Sequence, residues 1–121
     1  MSALAIMTVA TGCVQEAYVR TVIFRVDVSR VPDVRSVGVR GADLPLSWQQ
    51  DTPMVPVPDS AGLYTATVSA RTGRLVTEVK FVVNGTFEFS SSQDQGNRQV
   101  RLPRTTTGGD TVVYRAVYDQ R

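Results

Sequence analysis

Apolar and polar residues alternate along most of this chain. Over residues 18–28, Val22, Phe24, Val26 and Val28 fall on one side, with Arg25 and Asp27 on the other. That period of two marks a half-buried strand. Residues 34–41 predict a second strand, with Val37 and Val39 pointing together. Asp59-Ser60-Ala61-Gly62 predicts a turn. Residues 63–70 follow it, with Tyr64, Ala66 and Val68 on one face. Residues 75–83 set Val79, Phe81 and Val83 against Glu78 and Lys80. Residues 99–102 predict a short strand, and residues 111–118 close the chain with Val112, Tyr114, Ala116 and Tyr118 on one face. No segment keeps a helical period. Roughly six to eight short strands between turn signals predict an all-β chain, an immunoglobulin-like antiparallel β-sandwich. The polar stretches 90–97 and 104–110 are expected to be mobile loops.

Asn84-Gly85 is the strongest local signal. Both residues accept positive φ, as a two-residue type I′ hairpin turn requires. Such a hairpin pairs Val83 with Thr86, Val82 with Phe87 and Lys80 with Phe89. Directly opposed residues point to the same side of a sheet. With Phe81 in the core, Phe87 therefore lies on the outer face beside Lys80. Phe89 is expected to cap the end of the core. Glu78 and Glu88 are expected to be surface charges, because nothing suggests a cleft with the paired carboxylates of glycoside hydrolysis.

Composition narrows the chemistry. At 121 residues and 42% hydrophobic content the chain fits one domain with one core. Valine and threonine are plentiful, which favours strands. The net charge is +2, with no long basic block, so nucleic acid is not an expected partner. Histidine is absent, which removes the commonest general base and metal ligand. No metal cluster and no nucleophile motif is present, so no cofactor and no catalysis are expected.

Two residues stand out. Trp48 is the one tryptophan, set in a polar, turn-prone stretch. Lys80 is the one lysine; every other basic side chain is an arginine. An indole in a loop with a donor-rich side chain on a nearby strand suits a sugar, whose C–H face stacks on rings and whose hydroxyl rim takes hydrogen bonds. Read singly, Trp48 equally suits edge packing, Lys80 a solvated strand position and Asn97 a turn.

The only cysteine is Cys13, so an internal disulfide is excluded. It follows an uncharged, mostly apolar run, residues 3–10, and the small residues Thr11-Gly12. This resembles a bacterial lipoprotein signal, which implies that Cys13 is lipidated and becomes the mature N-terminus. No positive charge precedes the run, and a start further upstream would supply one. The expected organisation is a signal-like segment at 1–13 and a β-sandwich domain at 17–121. An ordinary buried cysteine is the other reading. The expected location is a bacterial cell envelope, with membrane contact only through the lipid.

The order of short motifs is informative. They are Thr21-Val22-Ile23-Phe24-Arg25-Val26-Asp27, Val37-Gly38-Val39-Arg40-Gly41, Leu46-Ser47-Trp48, Thr52-Pro53-Met54 and Gly62-Leu63-Tyr64-Thr65-Ala66-Thr67-Val68. After these come Val79-Lys80-Phe81-Val82-Val83-Asn84-Gly85, Phe87-Glu88 and Asn97-Arg98. Together, over residues 18–118, they resemble a starch-binding domain of carbohydrate-binding module family 20 or a close relative. The resemblance implies non-catalytic binding of α-1,4-linked glucans at a site of two rings, a lysine and an asparagine. Matched residue by residue, that site is Trp48, Lys80, Phe87 and Asn97. Phe87 stands where the family usually has a second tryptophan, and no second sugar site has a clear counterpart. A domain that keeps the fold but has lost the sugar site, serving as an interaction or structural module of the envelope, is the alternative.

Overall fold

The computed structural model describes residues 16–104 and 110–121. Cys13 lies outside them, and so does any lipid there; residues 105–109 of the second polar loop lie outside them too. The described residues form nine strands and no helix. These are β1 (Tyr18–Asp27), β2 (Val37–Gly41), β3 (Thr52–Pro53), β4 (Val55–Pro56) and β5 (Leu63–Thr72), followed by β6 (Val76–Val83), β7 (Thr86–Phe87), β8 (Arg98–Arg101) and β9 (Thr111–Val117). One sheet has the order β4-β5-β1-β9 and the other β3-β2-β6-β7, with β8 also on β6. The chain is thus an all-β sandwich of two sheets. Two differences from expectation are local. β9 runs parallel to β1, Val22 beside Val112 and Phe24 beside Tyr114, so one pairing is not antiparallel. The second strand begins at Val37 rather than Val34.

The alternation places the core as the sequence predicts. Val22, Phe24, Val26 and Val28 are buried, as are Val37, Val39, Val79, Phe81 and Val83. Tyr64, Ala66, Val68, Val112, Tyr114 and Ala116 pack against them. Three rings join the sheets: Phe24 meets Phe81 edge-on at 6.1 Å and Tyr114 at 6.2 Å, while Phe81 and Tyr114 stack at 6.4 Å. Each fully buried side chain of this kind contributes about 1.5–3 kcal/mol.

The Asn84-Gly85 hairpin forms, with φ of 51° and 81°, Val83 opposite Thr86 and Val82 opposite Phe87. It then departs from the expected register. Glu88 N–H still donates to Phe81 O at 3.0 Å. Phe89, however, adopts a positive φ of 65° and turns inward, so it never pairs with Lys80. Phe89 is buried, in keeping with the expected capping role. The chain returns to the same edge of β6 only at β8, where Arg98 faces Val79. Residues 88–97 leave the sheet between these two points.

Glu88 is not a surface charge. It is completely buried. Its register opposite Phe81 already assigns it to the core face. One carboxylate oxygen accepts from Phe81 N–H at 2.9 Å, replacing the backbone carbonyl that the departing chain takes away. The same carboxylate accepts from Arg98 Nε at 2.8 Å and Nη2 at 2.9 Å. Arg98 Nη2 also donates to the carbonyls of Val117 and Gln120. Burial works to lower the Arg98 pKa, but the hydrogen bonds and charge of Glu88 raise it above the ordinary value.

Removing one partner of this pair strands a buried charge, at a cost of about 3–5 kcal/mol. A small domain has only about 5–15 kcal/mol in total. Arg98→Ala and Glu88→Ala are therefore expected to lower stability by about 3–5 kcal/mol in urea unfolding followed by Trp48 fluorescence. Arg74→Ala, which removes the exposed pair with Asp43, should cost no more than about 1 kcal/mol in the same experiment.

Candidate functional site

The outer face of the second sheet follows from the same alternation. With Val79, Phe81 and Val83 inward, Lys80 and Val82 point outward, as do Gly38 and Arg40, their register partners on β2. The loop from β2 to β3 folds over this face. Leu46 anchors it in the core, with 4% of its surface exposed. Asp51 then lies directly over Gly38, where an added Cβ would come within 2.7 Å of the Asp51 Cβ. Arg40 clamps the loop: its Nε donates to Asp51 Oδ1 at 2.7 Å and its Nη1 to Trp48 O at 2.8 Å.

This arrangement brings Trp48 to Phe87. The ring centroids are 6.4 Å apart with the planes tilted by 53°. The Arg40 guanidinium sits 5.1 Å from the Phe87 centroid, a cation–π contact. Trp48, Lys80, Phe87 and Asn97, all four of the expected site residues, line one open concavity of about 480 Å³ together with Glu88, Ser90 and Gln95. That volume is within the range of small-ligand sites. Trp48, Lys80, Phe87 and Asn97 are each half-buried, so each keeps exposed surface at the concavity.

The polar side chains are differently committed. Asn97 Nδ2 donates to Glu78 Oε1 at 2.9 Å, which orients the amide and leaves its carbonyl oxygen as an acceptor. The Lys80 ammonium has no carboxylate partner among the described residues. The loop that carries Ser90 and Gln95 is tied down. Gln95 Nε2 donates to Ser90 O at 3.1 Å, and Arg121 Nη2 donates to the carbonyls of Asp94 and Gly96 at 2.7 and 2.9 Å. Arg121 also covers the Phe89 ring, 3.8 Å from its centroid.

Sequence reading missed Arg40, Asp51, Ser90 and Gln95. The signal for Arg40 was present, since Val37 and Val39 inward place Gly38 and Arg40 outward. Ser90 and Gln95 had no signal, because a ten-residue excursion from a sheet edge has no period to read. Among the described residues there is no group of carboxylate, cysteine and histidine side chains able to hold a metal ion. No protein-family model matches the chain, and no curated protein matches it.

Tyr118 supports the hairpin from the other side, its hydroxyl donating to Thr86 O at 2.7 Å. Burial first, then the charges of Asp119 and Glu88, pushes its pKa up to about 12. A phenol whose pKa is raised on folding contributes stability that is complete below the free value near 10 and is lost as pH rises toward 12. Alkaline titration followed by phenolate absorbance is expected to show a late-ionising component near pH 12 that Tyr118→Phe removes. The same substitution should flatten the loss of stability over that pH window.

Proposed function

We propose that this domain is a non-catalytic binding module for α-1,4-linked glucans. The observation that carries the reading is the convergence of Trp48, Lys80, Phe87 and Asn97 on one open concavity. These residues come from four separate stretches of chain, and each has the chemistry a pyranose takes. The indole and phenyl faces receive the C–H face of a sugar. The Lys80 ammonium donates to hydroxyls and the Asn97 carbonyl accepts from them. The 53° tilt between the rings makes a bent cradle, which suits successive sugar units that turn relative to one another better than a flat ribbon does.

Two rings and two polar groups on an open surface support modest affinity, a Kd of roughly 10 μM to 1 mM, or about −7 to −4 kcal/mol. Trp48 is the only indole, so its fluorescence is a direct reporter. Titration with β-cyclodextrin or maltoheptaose is expected to saturate in that range, and no response from folded protein at millimolar ligand overturns the reading. Trp48→Ala should abolish retention in a glucan affinity gel. Phe87→Trp should bind several-fold more tightly, since a larger ring adds about 0.5–1.5 kcal/mol of contact.

One observation favours the alternative, an interaction or structural module without a sugar site. Arg40 covers part of the Phe87 ring, so the Trp48–Phe87 contact also works as local packing. Under that reading Trp48→Ala lowers stability and leaves gel retention unchanged.

Display on a bacterial envelope through a lipid on Cys13 belongs to the same proposal and rests on the sequence. When the chain is expressed with its own upstream region, radiolabelled palmitate is expected to label the wild type and not Cys13→Ser. Equal labelling of both removes this part of the reading.

A further inference from the structure

The first sheet carries a second feature, unrelated to the aromatic concavity. On β1 the residues between the core positions point outward, and Arg25 is one of them. Its register partner on the parallel neighbour β9 is Arg115. The two arginines are therefore register neighbours whose side chains leave the same face of the sheet. Like charges placed directly opposite across strands destabilise a sheet. Neither arginine has a carboxylate partner among the described residues. The Arg25 Nε atom is buried and has no hydrogen-bond partner among the described residues. A buried donor left unsatisfied costs about 1–3 kcal/mol.

Both side chains line a concavity of about 400 Å³ beside β9, the last strand of its sheet. Arg98 and Arg121 also line it. Arg98 is neutralised by Glu88, and Arg121 is held by Asp94 at 3.3 Å, so Arg25 and Arg115 supply the uncommitted charge. The one acid in the lining is Asp27. Its Oδ1 already accepts from Ser29 N–H at 2.8 Å, and the Ser29 hydrogen bonds hold its pKa below the usual carboxylate range.

We propose that Arg25 and Arg115 bind a phosphate group. A single carboxylate satisfies one guanidinium fork. Two adjacent forks match a tetrahedral dianion, whose several oxygens accept from both and whose charge relieves their repulsion. The phosphate belongs either to a soluble ester or polymer or to a phospholipid headgroup, and the two sources are separable.

The test uses the full chain. Thermal unfolding is followed in sodium phosphate against sodium chloride at matched ionic strength. The wild type is expected to gain midpoint temperature with phosphate concentration. Arg115→Gln, at an exposed position, should need about tenfold more phosphate for the same gain, the loss of one charge-assisted fork. Arg71→Gln, an exposed arginine elsewhere on the same sheet, should behave as wild type. In a second arm the protein is sedimented with phosphatidylglycerol or phosphatidylcholine vesicles. Retention on phosphatidylglycerol alone, reduced by Arg115→Gln and not by Arg71→Gln, assigns the phosphate to lipid. Phosphate-dependent stabilisation without vesicle retention assigns it to a soluble ester or polymer. Equal phosphate dependence in wild type and Arg115→Gln, or no dependence in either, overturns the proposal.

Discussion

The buried pair between Glu88 and Arg98 is the constraint on which the second sheet depends. Strand β6 has one edge that two different segments must share, β7 at one end and β8 at the other. Where β7 leaves, a backbone donor of a central strand loses its partner, and an unpaired buried N–H is costly. The Glu88 carboxylate takes that donor and, with its remaining lone pairs, binds Arg98 at the start of β8. Arg98 in turn reaches the carbonyls of Val117, the last residue of β9, and of Gln120 beyond it. One ion pair thus holds the sheet edge, the returning strand and the C-terminal segment together. Its desolvation cost is offset because nearly every lone pair and proton it buries is used.

The aromatic concavity is the other face of the same arrangement. Because residues 88–97 must leave the sheet at Glu88 and return at Arg98, they rise beside Lys80 and Phe87 and form one wall. The opposite wall is the loop bearing Trp48, held down by Leu46 in the core and by Arg40 from β2. The Trp48 wall is fixed from outside the concavity, and the other wall is held at its ends by Arg98 and Arg121. Walls held in this way are pre-organised, and a pre-organised surface loses little conformational entropy on taking a ligand.

Arginine plays several physical roles in this chain. Arg40 and Arg98 are braces, engaged by carboxylates and carbonyls through their planar forks. Arg121 covers the Phe89 ring and ties the excursion loop. Arg25 and Arg115 have the opposite character, register neighbours with no carboxylate partner among the described residues. Lys80 differs from all of them in carrying a flexible ammonium with three donors in place of a rigid planar fork.

Alternation alone determined the all-β class, the core faces of β1, β5, β6 and β9, and the outward placement of Lys80. The two positive-φ residues at Asn84-Gly85 determined the hairpin and its first two pairs. These features are local, because a strand's side-chain period and a turn's dihedrals are properties of neighbouring residues. The tertiary structure decided what local rules cannot reach. It turned Phe89 inward, buried Glu88 against an arginine ten residues on, set β9 parallel to β1, and laid Trp48 beside Phe87 through a clamp from Arg40. Each of these depends on which distant group satisfies a given donor, charge or ring face, and that is settled only when the whole chain has packed.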